Sequence, residues 1–183
     1  DMLSLGPYNT TPGLRYGHRI AFLPDGRVLI AGGMWRGPEL VDYGMTFCEV
    51  YDPVTNMMSM TGGMNAPRGR FELVPIWGGK FAAMGGLYYQ APSPPMTAGL
   101  YISTADVEIF DAATMTWSPA ADLPRPMYDY AATSPDPNRV LIFDGYDGFG
   151  MSGKFHDAFF IKWFNHDADR QKWKIPGQPF DPV

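Results

Sequence analysis

Three histidines, ten tyrosines and one cysteine are the side chains of this 183-residue chain with the widest capacity for metal or covalent chemistry. A copper-type centre would need imidazole nitrogens and phenol oxygens converging on one ion. The spacing argues against convergence. His156 and His166 bracket a single predicted strand, which at about 3.3 Å per residue separates them by roughly 30 Å if it is continuous. His18 occupies a framework position of a repeat described below and reads as a hydrogen-bonded structural histidine. Cys48 lies beside Glu49 and Tyr51 on a predicted strand and reads as a small buried hydrophobe. A single cysteine forms no internal disulfide. His166-Asp167-Ala168-Asp169 has the residue types of a metal site, but as a turn it needs no ion. The sequence contains no Gly-rich phosphate loop, no Gly-x-Ser-x-Gly elbow and no His-Glu-x-x-His. The expectation is no catalytic residue, no metal and no cofactor.

Binding is better represented. Trp35, Arg36 and Tyr43 follow one glycine pair, Tyr88, Tyr89 and Tyr101 follow a second, and Tyr146 and Phe149 follow a related turn. Aromatic and Arg side chains dominate protein-binding hot spots, and the same rings stack on sugars. These eight residues are the candidate contact set, for a protein partner or a carbohydrate. The competing reading is that they pack on one another and stiffen long loops. Pro92-Ser93-Pro94-Pro95 rigidifies the longest of these segments.

The elements that must position these groups follow from composition and period. Twenty-one glycines and eighteen prolines without collagen-like spacing cut the chain into short segments, which points to β structure rich in turns. A net charge of -5 without any basic run offers no footprint for nucleic acid or anionic lipid. No apolar run approaches the roughly 18 residues of a membrane-spanning helix. Asn9-Thr10-Thr11 matches a glycosylation sequon. The first residue is Asp1, as expected of a processed product or of part of a longer polypeptide.

A period of about 50 residues is the stronger signal. The first register runs Arg15-Tyr16-Gly17-His18, a turn at Pro24-Asp25-Gly26, Val28–Ala31, Gly32-Gly33, then Cys48 to Pro53. The second runs Arg68, a turn at Trp77-Gly78-Gly79, Phe81–Met84, Gly85-Gly86, Val107 to Asp111, and Trp117. The third runs Arg125, a turn at Asp136-Pro137-Asn138, Val140–Phe143, Asp144-Gly145, a strand near Phe159 to Phe164, Asp167 and Trp173. Arg to the first turn-forming residue after the apolar strand is 17, 17 and 19 residues. Asp to the following aromatic is six residues in the second and third units, and the same step from Asp52 reaches Met58. Each unit predicts four short strands, the second of them buried on both faces, with Phe71 and Tyr128 standing where the first unit has His18. Met57, Met58 and Met60 are expected to fill gaps between blades.

The pattern resembles the Kelch family, with its Arg-led start, double glycine, Tyr51-Asp52-Pro53-Val54-Thr55-Asn56 segment and Trp. The resemblance implies an all-β, Kelch-type β-propeller of three four-stranded blades: residues 15–67, 68–124 and 125–183, with 1–14 as the outer strand of a preceding blade. It implies a non-catalytic module for protein recognition or structural assembly. The alternative is a fragment of a galactose-oxidase-like copper radical oxidase, a sugar mutarotase or a glycan-binding propeller. Propellers close with about four to eight blades, so three form an incomplete ring that needs further blades or a partner. Two arrangements would complete it: a second copy exchanging its N-terminal strand, or further blades of one longer polypeptide. The exchanged strand would compete with Trp173–Ile175, a competition the longer polypeptide avoids.

Overall fold

The computed structural model describes residues 15–95, 97–136, 139–146, 154–162 and 172–174. Three four-stranded antiparallel sheets account for the main architecture, a β-propeller-like series of blades. The first contains β1 (Arg19–Phe22), β2 (Val28–Ala31), β5 (Cys48–Asp52) and β6 (Met57–Met60). The second contains β7 (Glu72–Ile76), β8 (Lys80–Met84), β11 (Val107–Asp111) and β12 (Thr116–Pro119). The third contains β13 (Ala131–Asp136), β14 (Arg139–Tyr146), β15 (Lys154–Lys162) and β16 (Lys172–Lys174). Between second and third strands the first two sheets carry two-stranded hairpins, β3–β4 (Met34–Arg36, Asp42–Gly44) and β9–β10 (Leu87–Gln90, Leu100–Ser103).

Turn chemistry sets the strand ends. Asp52 accepts the Val54 N–H at 2.8 Å and Asp111 accepts the Ala113 N–H at 2.9 Å, so each aspartate closes the turn after a third strand. Gly33 and Gly86 adopt φ of +108° and +111°, and at Gly86 an added Cβ would lie 2.9 Å from the Phe71 Cβ. The chain leaves each second strand there because only glycine combines that conformation with so close an approach.

Register gives the three sheets equivalent strand pairings and shifts the alignment of the third. Met58 pairs with Tyr51, Trp117 with Phe110 and Trp173 with Ile161, so the three occupy equivalent backbone places. Isolated bridges pair Tyr16 with Met34, Gly69 with Leu87 and Tyr128 with Tyr146. Arg15 and Arg68 therefore correspond to Met127, not to Arg125, and His18 corresponds to Phe71 and Tyr130, not to Tyr128. Main-chain bonding agrees: Gly33 N donates to Arg68 O at 2.9 Å and Gly86 N to Met127 O at 2.8 Å. Counted from Met127, the distance to Asp144 is 17 residues, like the other two. The strand expected near Phe159 to Phe164 instead spans Lys154–Lys162. His156 lies within it, while residues 1–14, His166, Asp167 and Asp169 lie outside the described residues.

Burial distinguishes the middle sheet from its neighbours. Leu29, Ala31, Cys48 and Val50 of the first sheet pack on Leu73, Phe81, Ala83 and Phe110 of the second, with Trp117 half-buried at the outer end. Val74, Ile76, Ala82, Met84, Val107 and Ile109 of the second pack on Tyr130, Val140 and Ile142 of the third. Phe81–Met84 is buried on both faces, as expected. Val28–Ala31 is not, since Val28 and Ile30 are only half-buried, nor is Val140–Phe143, since Phe143 is exposed. Among the described residues the end sheets have a neighbour on one face only, which restores the in-out alternation of an ordinary half-buried strand. Met57 and Met60 are exposed on β6 rather than filling an interblade gap. Met34, Met64, Met84 and Met127 take that role.

Candidate functional site

The hairpins after the glycine pairs carry the aromatic candidates into one cluster. Trp35 and Tyr43 are cross-strand partners in β3–β4 and stack with centroids 5.5 Å apart. Tyr89 and Tyr101 are cross-strand partners in β9–β10 and meet edge-on at 5.4 Å. Tyr43 meets Tyr89 at 5.5 Å with an 83° interplanar angle, joining the two hairpins and hence two blades. Edge-on and offset contacts are the favoured aromatic geometries, each adding about 0.5–1.5 kcal/mol beyond area burial. The rings are half-buried, so they support one another and still present surface.

Polar bonds fix the cluster's edge. Arg36 forms a bidentate pair with Asp42, Nε to Oδ1 at 2.7 Å and Nη2 to Oδ2 at 2.8 Å. The Asp42 N–H donates to the Tyr101 hydroxyl at 3.0 Å, a second tie between hairpins. Arg36 holds the Asp42 carboxyl below the usual carboxylate range. Burial, then Asp42, pushes the Tyr16 phenol up to about 12, and burial with Glu39 nearby raises Tyr43. Each of these shifts moves away from neutrality. General acid–base chemistry works best with a pKa near the operating pH, so this cluster is built to stack and to hydrogen-bond.

Tyr88 lies on the other face of β9 from Tyr89 and packs over Gly44, where an added Cβ would come 2.8 Å from the Tyr88 Cβ. Tyr146 stacks on Tyr128 at 5.6 Å and belongs to the third blade. Phe149 lies outside the described residues. The rings thus rigidify one another across the two hairpins and stay partly exposed.

A second group was missed by sequence reasoning. Gly17, Arg70 and Asp129 stand at equivalent left-handed positions, with φ of 61°, 56° and 49°. Arg70 N donates to Gly17 O at 2.8 Å and Asp129 N to Arg70 O at 3.0 Å, a main-chain relay from blade to blade. The Arg70 guanidinium grips the Asp129 carboxylate and sits 5.4 Å from the Tyr128 ring centre. A left-handed non-glycine residue costs roughly 1–2 kcal/mol, so both positions hold charged residues against strain. The signal was present in the sequence: counting 17 residues back from Asp144 would have aligned Asp129 with Gly17 and Arg70.

Among the described residues, no group of three or more His, Cys, Asp or Glu side chains could hold a metal ion. His18 is half-buried, and its buried Nδ1 has no hydrogen-bond partner among the described residues. Burial and the adjacent Arg15 and Arg19 lower its pKa. Cys48 is buried in the interface between the first two sheets, and burial raises its thiol pKa.

No protein-family model and no curated protein matches the chain. Among solved structures, one described as "Structure of YjhT" superposes with a TM-score of 0.70 at 15% identity. The match covers 92% of this chain and 53% of that one, so the chain spans about half the length of the structure it resembles. At that identity the likeness speaks for the fold alone.

Proposed function

We propose that the chain is a Kelch-type propeller module, non-catalytic, that serves protein recognition or structural assembly through its glycine-side hairpins. The observation that carries this reading is the four-ring network Trp35–Tyr43–Tyr89–Tyr101, which spans two blades and is braced by the Arg36–Asp42 pair. A preorganised aromatic surface with a charged edge spends little conformational entropy on binding, which favours recognition. The test is a photo-crosslinking residue placed at Trp35 in the native source, with Val54, exposed on a turn after β5, as the control. A discrete protein adduct at Trp35 and none at Val54 is the expected result. Equal labelling, or none at either, would remove the hairpin face as the contact surface.

The same rings support a carbohydrate reading, because aromatic faces beside a charged pair suit sugar stacking. Glycan-array binding abolished by Trp35→Ala would move the assignment from protein to glycan.

A further inference from the structure

Interblade packing here is directional. The face of the second sheet that receives the first carries Phe81, Ala83, Phe110 and Trp117, and the face offered to it carries Leu29, Ala31, Cys48 and Val50. The same polarity recurs between the second and third sheets. Register places Ile20 opposite Ile30, Phe22 opposite Val28, Tyr51 opposite Val28 and Met58, and Met60 opposite Glu49. Ile20, Phe22, Val28, Ile30, Tyr51, Met58 and Met60 therefore form the receiving face of the first blade. No described residue covers it: Ile20 is 58%, Phe22 78% and Met60 73% exposed. At the other end of the series, Leu141 and Phe143, the latter 42% exposed, stand at the offering positions of the third blade, equivalent to Leu29 and Ala31.

We propose that a second copy of this chain covers that face: the offering face of one copy's third blade docks on the receiving face of the other's first blade, and reciprocally. Two observations select this occupant. The contact continues an interface the chain already makes twice, with the same polarity. The two faces that no described residue covers are opposite members of that pair, so two copies joined by two such contacts close a ring. Docking by faces needs no strand exchange, since β16 already completes the third sheet. The proposal is independent of the hairpin surface.

Sedimentation equilibrium tests it on the chain, Phe22→Asp and Phe143→Asp, with Ile20→Lys as a further exposed substitution on the receiving face and circular dichroism as the folding control. The expected mass is twice 20.3 kDa. Each variant should retain its β spectrum and weaken association roughly tenfold or more. Mixing Phe22→Asp with Phe143→Asp should restore association above either variant alone, because only the mixed pair has one intact contact. A mass of 20.3 kDa at every concentration, a species larger than two copies, insensitivity to Phe22→Asp and Ile20→Lys, or no gain on mixing would each overturn the proposal.

Discussion

Arg68 and Glu108 form an ion pair at 2.7 Å with both side chains almost wholly out of water. The guanidinium also donates to Gly85 O at 3.0 Å and Asp106 O at 2.7 Å. Glu108 in turn accepts the Asn65 N–H at 2.7 Å and the Ala66 N–H at 3.1 Å, pinning the linker that enters the second blade. Arg68→Ala leaves that carboxylate buried without its cation and should destabilise the fold by about 3–5 kcal/mol in urea unfolding. Cys48 should resist thiol reagents in the native chain and react fully once unfolded, because its sulfur is buried and its pKa raised. Tyr16 sets an alkaline limit. Its pKa rises from 10.0 to about 12 on folding, so the unfolded chain releases that proton first. Stability from this source is whole below pH 10 and falls as pH rises toward 12. Tyr16→Phe should flatten the pH dependence of the melting temperature in that window.

At the scale of elements, Gly86 couples the second strand of one blade to the first strand's approach in the same blade. Gly86→Ala must place a Cβ 2.9 Å from the Phe71 Cβ at φ of +111° and should cost about 1–3 kcal/mol, read by thermal melting. Such positions were legible, because a glycine pair closing a short apolar run recurs with the period. The third unit was misaligned because Arg125 lies two residues before Met127, and a charged residue attracts an alignment that an apolar one does not. The hairpins were read as loops for a different reason. Their strands are three or four residues long, and their pairing depends on Trp35 meeting Tyr43 and Tyr89 meeting Tyr101, contacts that no local period encodes. Residue types marked the rings as candidates, while the Tyr43–Tyr89 junction between blades required the packed fold.

For the whole molecule, position in the series decides what a residue is worth. Phe110 and Tyr51 occupy equivalent places on third strands, yet Phe110 is fully buried against the first blade and Tyr51 is half-buried on the free receiving face. Phe110→Ala should cost about 3–5 kcal/mol and Tyr51→Ala markedly less, measured by urea unfolding at a concentration low enough to keep copies apart. The relay through Gly17, Arg70 and Asp129 carries a different consequence. Its donors and acceptors are backbone atoms, so the joint between successive units reads conformation first, and a side chain enters through its tolerance of the left-handed position and, at Arg70 and Asp129, through their ion pair. A unit that keeps a residue able to hold the left-handed position therefore meets its neighbour through the same main-chain bonds whatever its hairpin carries.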